Sequence, residues 1–189
     1  MILYYHFASA ALANTYVVGS DSGKEITIVD PLVMDVQLLR LIEENGYYVR
    51  NILLTRPRPA FSGAIKTLLR IYDARLYGST DELSECPCIR VSDGDRLELS
   101  GLSIDVVDVS GMAGGALFYR CGHFLFTGDL LGAGTILSIR QRALQHRLAF
   151  LIRTRIEGFG DRTIILPGSG PPTSIGAERR FNPLLKAPL

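Results

Sequence analysis

A chain of 189 residues, 47% hydrophobic and 21% charged, is long enough for one ordinary core and lacks the composition of a disordered segment. Its 20 basic residues stand against 19 acidic ones, a formal net charge of +1, so no global attraction draws it to nucleic acid or to an anionic membrane. No apolar run reaches the roughly 18 residues of a membrane span. The opening Met-Ile-Leu-Tyr-Tyr-His-Phe lacks the basic region and clean apolar stretch of a signal peptide, so a single cytoplasmic domain over 1–189 is expected.

Taken in chain order, Tyr16 to Gly19 and Glu25 to Val29 are β-branched and apolar around Ser20-Asp21-Ser22-Gly23, which predicts a hairpin ending at Asp30-Pro31. Within Val33 to Asn45, the spacing of Val36, Leu38, Leu39 and Ile42 predicts an amphipathic helix closed by Gly46. Val49 to Leu54 reads as a buried strand that opens onto Arg56-Pro57-Arg58-Pro59. Ser62 to Tyr72 has helical periodicity through Ile65, Leu68 and Leu69, and Ala74 to Tyr77 reads as the next strand.

The second half changes character. Arg90-Val91, Arg96 to Leu99, Leu102 to Val109, Ala116 to Tyr119 and Phe124 to Phe126 are short strand-like runs between Gly, Ser and Asp turns. A helix follows over about Gln141 to Ile156, and Thr163 to Leu166 supplies a last strand before Pro167-Gly168-Ser169-Gly170. That order predicts two mixed sheets packed face to face with helices outside, an α/β (α+β) four-layer αββα sandwich. Arg140, Arg142, Arg147, Arg153 and Arg155 interleave with Leu144, Leu148, Leu151 and Ile152, a pattern that fits a solvated outer helix better than a dock for an acidic partner. Cys86, Cys88 and Cys121 are odd in number, and no second Cys or His pair completes a metal site with Cys86-Pro87-Cys88.

Several separated motifs then fall in a familiar order. They are Asn14-Thr15-Tyr16, Ile28-Val29-Asp30-Pro31, Thr55 to Phe61, Val109 to Gly115, Phe126-Thr127-Gly128-Asp129, Leu166 to Thr173, and the tail with Glu178, Arg179, Asn182 and Pro183. Together they resemble the metallo-β-lactamase superfamily, most of all its glyoxalase II-like, hydroxyacylglutathione hydrolase-like branch, over nearly the entire chain. The resemblance implies the αββα fold and a dinuclear zinc, iron or manganese centre whose bound hydroxide attacks a carbonyl or phosphoryl group.

At the positions where the family keeps Thr-His-x-His-x-Asp-His, this chain has Arg56, Arg58, Ala60 and Phe61. Met112 and Ser169 stand where two further histidines are expected, and Asp129 alone keeps its carboxylate. Arginine has no lone pair to offer and stays protonated, so Arg56 and Arg58 are not ligands. Each would also repel a cation, by about 4 kcal/mol per pair of unit charges at roughly 4 Å and an effective dielectric near 20. His123 stands six positions before Asp129, roughly 20 Å along an extended strand, and His6 and His146 belong to no ligand-spaced cluster. These substitutions predict an empty metal site and no cofactor.

A carboxylate deprived of metal needs another positive partner, which leaves two arrangements open: Arg56 or Arg58 pairs with Asp129, or both arginines point to solvent on a proline-stiffened loop. The expected function is that of a pseudoenzyme with a binding or assembly role, its partner an anionic small molecule or a protein. One alternative is an anion binder or metal-independent hydrolase using Arg56, Arg58, Ser110, Ser169 and Arg179, although Ser169 has no evident histidine base. The other is a metal-dependent thioester hydrolase, which the resemblance by itself implies.

Overall fold

The computed structural model describes residues 1–111 and 114–186. Strands β1 (Ile2–Ala8), β2 (Ala13–Gly19) and β3 (Glu25–Val29) lead into helix α1 (Val36–Glu44) and β4 (Tyr48–Leu53). A turn of 3-10 helix at Pro59–Phe61 precedes α2 (Ser62–Ile71) and β5 (Arg75–Gly78). The short β6 (Glu82–Leu83), β7 (Cys86–Pro87) and β8 (Ile89–Arg90) follow, then β9 (Arg96–Leu99), β10 (Leu102–Asp108), β11 (Leu117–Cys121) and β12 (Phe124–Gly128). The chain closes with β13 (Leu131–Gly132), β14 (Thr135–Ile136), α3 (Arg142–Ile156), β15 (Ile164–Pro167), β16 (Thr173–Ser174), α4 (Ile175–Phe181) and α5 (Pro183–Lys186).

Two six-stranded sheets carry the architecture, in the orders β1-β2-β3-β4-β5-β8 and β16-β15-β12-β11-β10-β9. In the first, β3, β4, β5 and β8 run parallel; in the second, β12 and β15 do. Parallel neighbours need crossovers, and α1 and α2 supply them on one outer face. The α1 crossover is well signalled locally. Asp35 caps its start by accepting from the Leu38 N–H at 2.9 Å, and Gly46 follows its end at φ +62°.

Side-chain alternation sorts the apolar residues into three layers. Ile26 and Ile28 on β3 pack outward with Leu38, Ile42, Ile65 and Leu68 of α1 and α2. Val29 and Leu53 turn inward and meet Ile104, Leu117, Tyr119 and Phe126 of the opposite sheet. Phe118, Leu125 and Ile165 pack on the far face against Leu148, Ile152 and Ile175. Helix, sheet, sheet, helix is the expected four-layer sandwich. Burying each such aliphatic side chain contributes about 2 kcal/mol, so the layering, not any one motif, holds the fold.

Strand β1 is an addition to the expected elements, because its pairing with Ala13–Gly19 is what makes it a strand. Helices α4 and α5 also lie beyond the predicted set. Among the described residues no helix is long and apolar enough to cross a membrane.

Candidate functional site

Parallel strands end side by side, and the candidate site is built on those ends. Asp30 follows β3, Thr55 lies just past β4, Asp129 follows β12, and Gly168-Ser169 follows β15. Three of these loops touch at backbone distance. Buried Asp30, at φ +52°, receives the Thr55 N–H on Oδ1 at 2.8 Å and the Thr55 hydroxyl on Oδ2 at 2.6 Å. Gly128 sits at φ +55°, and a Cβ there would lie 2.1 Å from Thr55 Oγ1. The Gly168 N–H donates to the Gly128 carbonyl at 2.7 Å, and a Cβ on Gly168 would stand 3.1 Å from the Gly128 carbonyl carbon.

Hydrogen bonds between the sheets fix this junction. Leu117 N–H donates to the Thr55 carbonyl at 2.7 Å, and Asn14 N–H to the Gly168 carbonyl at 2.8 Å. The Asn14 amide donates to the Pro167 and Gly170 carbonyls, each at 2.8 Å, and the Tyr16 hydroxyl also reaches Pro167 at 2.8 Å. Each chemically distinctive side chain then follows a fixed point: Arg56 after Thr55, Asp129 after Gly128, Ser169 after Gly168.

The two arginines do not point away to solvent. Arg56 Nη2 and Arg58 Nη1 both donate to Asp129 Oδ2, the latter at 2.9 Å. Asp129 and Arg56 are 22% and 19% exposed, whereas Arg58 is 41% exposed and lies over the Phe61 ring at 5.9 Å. Both cations crowd one oxygen. Asp129 Oδ1 and Arg56 Nε are buried without a hydrogen-bond partner.

Asp30 lies behind this group, buried but bordering a cavity. Burial pushes its carboxyl up to about 6 from the ordinary 3.8, the Thr55 hydrogen bonds and Arg58 oppose that rise, and the Asp129 charge adds to it. Between pH 3.8 and about 6 the folded protein holds a proton on Asp30 that the unfolded protein releases, so the contribution to stability is present below pH 3.8 and lost as pH rises through about 6. The groups facing Asp30 are Thr55, Asp129, Arg58 and the Tyr16 and Tyr119 hydroxyls. Thermal unfolding across that window should show wild type losing stability relative to Asp30→Asn as pH rises. Parallel profiles for the two proteins would refute the assignment.

A cavity of 220 Å³ opens over these residues, lined by Ala11 to Asn14, Asp30, Leu32, Thr55, Arg56, Arg58, Phe61, Gly128, Asp129, Gly168 and Ser169. Of the predicted site residues, Arg56, Arg58, Phe61, Asp129 and Ser169 thus meet at one place. Ala60 is exposed and does not line the cavity, and Met112 lies outside the described residues. Two expected anion contacts do not reach the cavity. Ser110 turns its hydroxyl to the Ala116 carbonyl at 3.3 Å. Arg179 caps the end of α3 by donating to the Ile156, Glu157 and Phe159 carbonyls and to Asp161. Asp30, Thr55 and Asn14 were absent from the predicted site, although the sequence already showed Asp30 and Thr55 at the ends of strand-like runs and Asn14 in the Asn14-Thr15-Tyr16 motif.

Arg56 and Arg58 present only donors, and among the described residues no group of three or more His, Cys, Asp or Glu comes together to hold a metal. No family profile matches the chain. Curated relatives and solved structures do. Hydroxyacylglutathione hydrolase GloC of Haemophilus influenzae is 27% identical over 191 residues, covering 88% of this chain and 90% of that protein. ETHE1 from Myxococcus xanthus superposes with a TM-score of 0.83 at 24% identity over 97% of this chain and 84% of its own. The chain has the metallo-β-lactamase fold. TTHA1623 in a di-iron-bound form matches with a TM-score of 0.78 at 24% identity, covering 96% of this chain and 100% of its own.

The superfamily resemblance read from the motifs stands, with hydroxyacylglutathione hydrolases among the relatives. This chain spans about half the length of the first curated relatives, 46%, at 34% identity over 102 residues. The expectation of no cofactor is corrected by these comparisons, because a protein of the same fold, TTHA1623, holds two irons. The residues described at this cleft nevertheless do not fit a dinuclear centre, since guanidinium groups occupy the carboxylate that would serve it.

Proposed function

We propose that this chain is a non-catalytic member of the metallo-β-lactamase fold, a pseudoenzyme whose cleft binds a small anion in place of hydrolysing a thioester. One observation carries the reading: both guanidiniums close on Asp129, so protein cations hold the carboxylate at the cleft floor. A hydrolytic site needs an activated water or nucleophile, and among the described residues no base hydrogen-bonds to the Ser169 hydroxyl. The 220 Å³ cavity is smaller than the roughly 300–1,000 Å³ of sites that enclose a drug-sized ligand, which favours a small anion over a whole glutathione thioester.

The test is a thioester hydrolysis assay on purified protein, alone and after addition of zinc, iron or manganese salts. The expected result is no turnover above the uncatalysed rate under any of these conditions. Saturable turnover that follows protein concentration would sink the proposal.

A further inference from the structure

Two cations on one carboxylate oxygen leave hydrogen-bonding capacity unused on both sides. Asp129 Oδ1 is buried and unpartnered, and so is Arg56 Nε, whose fork matches a carboxylate through two parallel N–H bonds. In the observed arrangement Arg56 uses only Nη2 toward Asp129. Arg58, 41% exposed, lies on the open side of the pair.

The surroundings add a second constraint. Around the clamp stand Ala11, Leu12, Ala13, Leu32 and Phe61, apolar walls beside a charged floor. Leu12 is 69% exposed and held at φ +50° on the turn between β1 and β2, so the wall reaches the cavity mouth. Such a cavity fits an anion with a short apolar tail better than a bare, strongly hydrated one.

We propose that Asp129 is an internal competitor in a carboxylate-binding clamp formed by Arg56 and Arg58, and that a short-chain aliphatic carboxylate is the ligand that displaces it. The proposal rests on the binding role put forward above and names its ligand class and its brake. Asp129 is tethered at the clamp, so its effective concentration there is high and an external carboxylate binds weakly to wild type. Neutralising Asp129 removes the competitor and leaves both guanidiniums with unmet charge. The incoming group pairs with the Arg56 fork and with Arg58, and its alkyl chain lies against Leu12 and Leu32.

The experiment is calorimetric titration of wild type, Asp129→Asn and Arg56→Gln with butyrate, acetate and inorganic phosphate. Asp129→Asn should bind butyrate at least tenfold more tightly than wild type does, with acetate weaker than butyrate, and Arg56→Gln should bind neither. Equal or weaker butyrate binding by Asp129→Asn overturns the competitor role. Phosphate binding that exceeds butyrate binding overturns the ligand class. If Asp129→Asn does not fold, Asp129→Ser provides the same comparison. Thioester turnover would remove the non-catalytic reading while leaving these affinity ratios to stand or fall separately.

Discussion

Gly128→Ala should lower stability by about 4 kcal/mol, the sum of overpacking and of left-handed backbone strain. The new methyl would lie 2.1 Å from Thr55 Oγ1 and 2.8 Å from Thr55 Cβ, and φ is +55°. Neither obstacle yields easily, because Thr55 is pinned through its N–H and its hydroxyl to the buried Asp30 carboxylate. Gly122→Ala isolates the strain, since Gly122 has φ +57° and no neighbour within 4 Å of its virtual Cβ. That control should cost about 1 kcal/mol. In a chain of this length, the difference appears as a melting temperature roughly 10 °C lower for Gly128→Ala. Equal melting temperatures would mean that the loops do not meet as tightly as described.

Asp129→Ala should cost about 2 kcal/mol, less than the roughly 3–5 kcal/mol of breaking a fully buried pair, because these groups are one-fifth to two-fifths exposed. Its cause is less a lost attraction than two guanidiniums left facing one another over a half-buried floor. The double variant Asp129→Ala with Arg56→Gln should therefore be more stable than the sum of the single losses predicts. Raising the salt concentration should narrow the gap between Asp129→Ala and wild type, since screening weakens the repulsion between Arg56 and Arg58. Chemical denaturation of the single and double variants at two ionic strengths measures both effects. Strict additivity would show that the charges act independently.

Elements whose signal is local were legible in the sequence. The amphipathic spacing of Leu38 and Ile42, with Gly46 behind them, marked α1, and the turn at Ser20 to Gly23 marked the β2–β3 hairpin. Strand β1 was not legible as a strand because Ile2–Ala8 becomes one only by pairing with Ala13–Gly19. At the site, the need of Asp129 for a cation pointed to Arg56 and Arg58, yet composition could not say that both would choose the same oxygen. Asp30 read as the end of a hairpin; its burial depends on Thr55 arriving from a different strand. Ser110 and Arg179 carried plausible chemistry, but their partners, the Ala116 carbonyl and the end of α3, lie in other directions.

The hydrogen bonds that cross between the sheets at the cleft have a mechanical consequence. Asp30 and Thr55 belong to one sheet, Gly128 and Gly168 to the other, and Asn14, Tyr16 and Leu117 join the two across the seam. Widening the cavity would require the sheets to slide over each other and drag the Tyr119 and Phe126 layer with them. The cleft floor is thus braced from both sheets, whereas the Leu12 turn, 69% exposed, and Arg58, 41% exposed, stand at its open edge.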